Sequence, residues 1–309
     1  MERHVALVTG ASRGIGKVCA QWLARAGYDV AVTARTVHEG EAREHSSTIK
    51  KSKTNPLPGS LESTAALVEA EGARALPVAA DLLDPVSLGA SVTTVLERWG
   101  RVDVVVHNGR YIGPGHMDTF LETPIELLEK HLLANVIAPL QINKLVLPGM
   151  IERGTGAIVN ITSASGYSDP TRPAGQGGWG LGYGMSKAAF HRIAGTIAVE
   201  LEGTGVRAFN VQPNLIATER IAVDMAEFGI ENKGAPAEVV AAVVVWLVTD
   251  PEAGQWNGRN IEAQFFCHER SLLPGWPGPE PNEAAIRYDL SGKIIDDYER
   301  ALRAARGVG

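Results

Sequence analysis

Short runs of β-branched and small apolar residues recur along this chain, each followed by a longer stretch with helical spacing. The runs at 4–9, 29–34, 75–79, 102–106, 157–161, 206–211 and 260–265 read as strands. The stretches 16–26, 61–71, 125–150 and 183–201, with one from about Pro85 and one opened by Pro236, read as helices. A strand that is repeatedly followed by a helix cannot return antiparallel through a tight turn. It builds a parallel sheet with helices on both faces. The expected fold is therefore α/β and doubly wound, with a seven-stranded parallel sheet. Residues 239–248 suit a buried strand as well as a buried helix, and Pro236 followed by Glu238 favours the helix.

Three stretches break the rhythm. Residues 36–60 are polar, 166–182 are rich in Gly and Pro, and 266–309 follow the last strand. They read as insertions in, and a C-terminal extension of, one domain over residues 1–265.

Composition narrows the function. With 309 residues, 45% of them hydrophobic, the chain can bury one large α/β core. The net charge of -6 comes from interleaved acids and bases, which offers no charged face to nucleic acid or to anionic lipid. Cys19 and Cys267 stand alone and far apart, so neither a disulfide framework nor a metal site is expected. A strand beginning at residue 4 leaves no room for an export signal. The longest apolar run, 239–248, falls short of the roughly twenty residues of a membrane span. A soluble, cytoplasmic location is the expectation.

Thr9-Gly10-Ala11-Ser12-Arg13-Gly14-Ile15-Gly16 links the first strand to the first helix. Glycines at such a turn let the backbone approach a pyrophosphate, whose charge is favoured by the amides and positive dipole end of the helix. This octapeptide resembles the cofactor loop of the short-chain dehydrogenase/reductase family, in the branch with a single Rossmann-type domain. The resemblance runs from about residue 4 to about residue 265, and further motifs fall in the family's order.

Gly10, Ser12, Arg13, Gly14, Ile15 and Gly16 would then hold the cofactor. At the end of the second strand Thr33-Ala34-Arg35 carries no acid to bind ribose hydroxyls and repel a 2'-phosphate. Arg35 and Arg13 could clasp that phosphate, an arrangement similar to that of NADP-preferring members, so NADP(H) is expected with NAD(H) as the alternative. Asp81-Leu82 resembles the family's adenine-contacting pair, although Asp81 could instead cap the helix near Pro85. His107-Asn108-Gly109-Arg110 stands where the family has Asn-Asn-Ala-Gly; Asn108 and Gly109 are expected beside the cofactor, and His107 reads as structural. Pro213-Asn214-Leu215-Ile216-Ala217-Thr218 resembles the family's Pro-Gly-x-x-x-Thr. Pro213, Ile216 and Thr218 are the implied nicotinamide contacts, and Asn214 tolerates the left-handed turn that glycine would make.

Tyr183 and Lys187, four residues apart, project from one helix face. Reducing a carbonyl requires a proton donor at its oxygen. A phenol titrates near 10, so matching it to about pH 7 takes about 4 kcal/mol of differential stabilisation, which a lysine ammonium has the right sign to supply. The resemblance implies that Tyr183 is the general acid/base, that Lys187 also holds the nicotinamide ribose, that Ser163 orients the substrate and that Asn135 completes a proton relay. For Asn135 a helix–helix hydrogen bond is the other reading, and Thr162 and Ser165 are alternatives to Ser163. The insertion before Tyr183 carries Trp179, expected to wall a pocket for a hydrophobic substrate. The implied function is an NADP(H)-dependent oxidoreductase interconverting a carbonyl compound and an alcohol, as a homodimer or homotetramer. A non-catalytic NADP-binding regulator on the same fold is the alternative.

Overall fold

The computed structural model describes residues 3–226 and 233–279. Seven parallel strands form one sheet in the order β3-β2-β1-β4-β5-β6-β7. They are β1 (Val5–Thr9), β2 (Asp29–Ala34), β3 (Ala75–Ala79), β4 (Val104–His107), β5 (Gly156–Ile161), β6 (Val206–Gln212) and β7 (Asn260–Glu262). The strand order reverses between β1 and β4, and at such a switch point the loops leaving the carboxyl ends of the strands diverge and open a crevice.

The central strands β1, β2, β4 and β5 are buried on both faces, which is why their runs are largely apolar rather than alternating, while edge strand β3 is partly exposed. Ala6 and Val8 of β1 join a core made with α1 (Gly14–Arg25), α2 (Leu61–Ala70) and α8 (Glu238–Thr249). Val5 and Leu7 point the other way, into a core made with α3 (Pro85–Trp99), α5 (Ala138–Arg153) and α6 (Leu181–Glu200). The ambiguous valine run is thus a helix. Its side chains are buried almost all round because it lies between the sheet, α1 and α9 (Ala263–Glu269).

Four local expectations need correction. β4 begins at Val104, after Asp103, whose backbone still bonds to Val5 and Ala157 on both sides while its carboxylate accepts from the Val5 amide (2.8 Å) and pairs with Arg101. β7 ends at Glu262, where the chain turns into α9 and buries Phe266 and Cys267. Asp84, not Asp81, caps α3, accepting from the amides of Val86 and Ser87. The helix expected over 125–150 is divided into α4 (Ile125–Leu132) and α5 by one wide π turn, Leu133–Ile137.

The path Ile125–Arg153 is long and apolar enough to cross a membrane by length and composition alone. Ile142, Val146 and Met150 are nevertheless core residues against the sheet. The remaining helix is α7 (Glu219–Ala226). The extension begins by packing on its own domain, with Leu272, Leu273 and Trp276 against the α8 side of the core. From residue 280 on, where the sequence of the extension reads as a charged helical stretch over 292–306, the chain lies outside the described residues.

Candidate active site

A cleft of about 320 Å³ opens at the carboxyl ends of the strands. Its floor is the glycine loop. Gly10 and Gly14 have left-handed backbones, with φ of 63° and 55°. A Cβ on Gly10 would lie 2.7 Å from the Cα of Gly109, and one on Gly16 would lie 2.5 Å from the Asn108 amide nitrogen. Asn108 lines the cleft and also holds the loop: its side-chain amide donates to the carbonyls of Thr9 (3.1 Å) and Gly10 (2.9 Å). The Thr9 hydroxyl in turn accepts from the amides of Asn108 and Gly109. This locked turn at the start of α1 presents the N-terminal helix dipole to the cleft, which fits a dinucleotide pyrophosphate. Gly10→Ala is expected to cost about 1–3 kcal/mol of stability from the left-handed backbone alone. Dinucleotide affinity should fall in parallel as the displaced Gly109 shifts, and urea unfolding with nucleotide titration checks both.

Ser12, Arg13, Ile15, Arg35, Asp81, Leu82 and Gly109 all line the cleft, as do Pro213, Ile216 and Thr218. Asp81 accepts from the Leu83 amide (2.9 Å) and so shapes its own turn. Asn214 adopts φ 60°, taking the left-handed conformation expected of it, and Thr218 packs within 3.1 Å of the Cβ position of Gly14. The Thr218 hydroxyl also accepts from the Ile221 amide, so it helps to cap α7 as well as to abut the loop.

The insertion 36–60 is a wall of the cleft, a role that its polar, irregular sequence does not announce. Arg13 donates to the carbonyls of Pro58 (2.9 Å), Leu57 (3.2 Å) and Gly59 (2.9 Å), and Arg35 donates to the Glu44 carbonyl (3.3 Å). Neither guanidinium is thus a free surface group. At its other turn the insertion reaches the far side of the cleft, where buried Arg220 donates to the His45 carbonyl (3.1 Å) and the Ser47 hydroxyl (3.0 Å). Asp118 accepts from the Ile49 amide. Glu41, Arg43, Glu44, His45 and Leu57 line the cleft as a result. The one signal available in the sequence was position: the insertion leaves the carboxyl end of β2, where α/β sheets bind ligands.

At the opposite end β5, the π turn and α6 converge. Tyr183 and Lys187 both line the cleft, with Tyr183 half-buried and Lys187 buried. Lys187 Nζ donates to the Ile161 carbonyl at 2.8 Å. Burial, reinforced by the charge of Arg110, pushes the ammonium down to about 7. The Tyr183 ring packs edge-on against His116, 4.3 Å between centroids, and Arg110 Cζ lies 5.7 Å from its centroid. His116 is held well below the usual histidine range by burial and by Arg110, Arg220, His131 and Lys187.

Asn135 sits in the π turn, where the widened ring of backbone re-aims a side chain. Its Oδ1 accepts from the Tyr111 amide (2.6 Å) and its Nδ2 donates to the Ser186 hydroxyl (2.8 Å). The helix–helix hydrogen bond is therefore present, next door to Lys187. Thr162 lines the cleft. The Ser163 oxygen accepts from the Ser165 hydroxyl at 3.0 Å and caps the short turn Ala164–Gly166. Gly166 lets that turn touch α6, since a Cβ there would lie 2.8 Å from the Lys187 carbonyl. His107 is structural: buried, bonded to Asn143 at 2.8 Å and depressed by burial to about 4.

Trp179 is placed elsewhere. It lines a separate open hollow with Phe120, Pro170 and Leu181, not the cleft that holds Tyr183 and Lys187. The reason is the path of its segment, which is pinned where the Gly180 N–H donates a hydrogen bond to the His116 carbonyl (2.8 Å).

Fold, glycine turn and the Tyr183–Lys187 pair on one cleft together fit a dinucleotide-dependent oxidoreductase. The short chain dehydrogenase family model matches residues 4–57 and 56–226. A short chain dehydrogenase of Pseudocercospora fijiensis is 30% identical over 281 residues, covering 85% of this chain and 81% of that protein. A cyclohexanol dehydrogenase of Rhodococcus sp. is 30% identical over 230 residues, covering 73% and 78%. An L-rhamnose 1-dehydrogenase (NAD(P)(+)) of Sphingomonas sp. is 30% identical over 264 residues, covering 82% and 92%. Among solved structures, one described as a short-chain alcohol dehydrogenase from Sinorhizobium meliloti 1021 superposes with a TM-score of 0.67 at 26% identity, covering 85% of this chain and 95% of that one. The chain belongs to the short-chain dehydrogenase/reductase family and is an oxidoreductase using an NAD(P) cofactor.

Proposed function

We propose that this enzyme interconverts a carbonyl compound and an alcohol with NADP(H), using Tyr183 as general acid/base. The observation that carries the reading is the convergence of Tyr183 and buried Lys187 on the same cleft as the glycine loop. The reduced nicotinamide, when bound, supplies a hydride to the carbonyl carbon. Tyr183 delivers the proton to the carbonyl oxygen, so that carbonyl, NADPH and one proton give alcohol and NADP⁺. In the reverse direction Tyr183 takes the same proton back. Lys187 stabilises the phenolate by its charge and would hold the ribose hydroxyls. Its depressed titration lets it take up and release a proton near neutrality. Ser163, or Thr162 beside it, would stabilise charge at the substrate oxygen. Asn135 positions α6 by its bond to Ser186 and would complete the relay. The test is NADPH oxidation with activated ketones, which should fall at least about a hundredfold in Tyr183→Phe.

NADP(H) is supported by Arg13 and Arg35, which line one end of the cleft near enough for the charge of Arg35 to act on Arg13. The insertion meets both with carbonyls that orient the guanidinium groups, while the carboxylates of Glu219 and Glu39 also act on Arg13. NAD(H) is the second reading, favoured by Glu41 and Glu44, carboxylates that the insertion brings to the same end. Arg35→Ala is expected to raise KM for NADPH about ten- to a hundredfold, the worth of a charged hydrogen bond of about 1.5–3 kcal/mol. KM for NADH should move by far less, and equal losses would reject the assignment.

A homodimer or homotetramer is supported by exposed apolar residues on neighbouring elements: Leu121 before α4, Ile125 on α4, Leu145 on α5 and Leu181 on α6. Light scattering should report a dimer or tetramer, and Leu121→Asp with Ile125→Asp should shift it toward monomer.

A further inference from the structure

Arg110 stands where the family resemblance places a glycine, and it brings a charge to the reacting end of the cleft. Its Cζ lies 5.7 Å from the centre of the Tyr183 ring, and its Nη1 donates to the Tyr111 carbonyl at 3.1 Å. It lines the same cleft as Tyr183 and Lys187 and is half-buried. Among the described residues no carboxylate lies within ion-pair distance of it. The acids that line the cleft are engaged elsewhere. Glu41 pairs with Arg43, Glu44 accepts from the Ser46 amide (2.7 Å), and Asp81 accepts from the Leu83 amide.

Other cationic side chains lie close by. Arg220 lines the cleft and acts with Arg110 on His116, while Arg110 also acts on Lys187 and His131. A half-buried guanidinium without a counter-ion is costly to keep, because it gives up water without regaining an anion. Its planar fork matches a carboxylate, which it can bind through two parallel N–H bonds. Since it lies against the face of the ring whose hydroxyl meets the reacting oxygen, the anion it binds belongs to the molecule being reduced or oxidised.

We propose that Arg110 anchors a carboxylate of the substrate, so that this enzyme acts on oxo acids and the matching hydroxy acids in preference to neutral ketones. The proposal rests on the carbonyl–alcohol reading above. It replaces the hydrophobic substrate expected from Trp179, which lines a different hollow.

The experiment compares acids with their methyl esters, using acetoacetate, levulinate and 2-benzoylbenzoate as probes. Wild-type enzyme is assayed with NADPH for kcat/KM, and each probe is titrated calorimetrically into the NADP⁺-bound protein. The expected acid-to-ester ratio of kcat/KM exceeds about ten for at least one pair, falls to about one in Arg110→Met, and is partly restored in Arg110→Lys, the change residing mainly in KM. Esters reduced as well as or better than acids would overturn the proposal while leaving the reductase reading intact. A rise in KM for NADPH in Arg110→Met as large as that for the acid would also overturn it, by assigning the arginine to the cofactor phosphates. If no probe turns over, the reductase reading fails for the panel and binding decides: acids held more tightly than esters, with the difference lost in Arg110→Met, support the anion site, and equal or absent binding overturns it.

Discussion

Tyr183→Phe is expected to lower kcat for ketone reduction by roughly 10²- to 10⁴-fold, the usual worth of a positioned acid/base. NADPH affinity should stay within a few-fold. The phenyl ring keeps the edge contact with His116 and the face offered to Arg110, so only the hydroxyl is lost. Stopped-flow turnover alongside fluorescence titration of NADPH separates the two effects. A variant with more than a tenth of the wild-type kcat would remove Tyr183 from the chemistry.

Lys187→Met is expected to act in two directions at once. Activity should fall about 10²-fold or more, because a preorganised charge at the reacting centre is lost. The cofactor-free protein should at the same time become more stable at pH 7. Lys187 is buried, and its folded titration near 7 lies below the ordinary lysine value of 10.5. The folded state therefore binds fewer protons than the unfolded chain between pH 7 and 10.5, and wild-type stability rises with pH through that window. The burial penalty is present in full below about pH 7 and is on the order of a few kcal/mol. The hydrogen bond to Ile161 returns only about 1 kcal/mol. Melting temperatures of wild type and variant measured from about pH 6.5 to about pH 10 should converge as pH rises. A gap that widens instead would reverse the sign of the assignment.

Under the proposed mechanism the two effects have one cause: the charge that costs stability when buried at the sheet end is the charge that would act on the phenolate. The proposed role of Arg110 has the same form, a half-buried charge whose cost an anionic substrate would offset.

Much of the fold was legible in the sequence because it depends on short-range geometry. Short apolar strand runs, each followed by a helical stretch, leave few ways to connect except a parallel sheet, and the crossovers place the cleft at the switch point. The Tyr183–Lys187 pair was legible for a similar reason: residues four apart share a helix face whatever surrounds them. Asn214 could be read as left-handed because few side chains tolerate that region.

What stayed hidden depends on contacts between residues far apart in sequence. The π turn at Asn135 has no spacing of its own; it forms where Tyr111 and Ser186, from two other elements, both reach one amide. The insertion 36–60 read as polar and irregular, and only its bonds to Arg13 and Arg220, from residues 45 and 175 positions away, make it a wall of the cleft. Trp179 lies near Tyr183 in sequence but lines another hollow, since the path of its loop is set by His116. The chain by itself determined the sheet and the shared helix face of Tyr183 and Lys187, because backbone periodicity determines both locally, while the roles of the glycine turn and of that pair came from the family resemblance. Which charges face the substrate was decided only by tertiary structure, because that depends on where distant loops close over the strand ends.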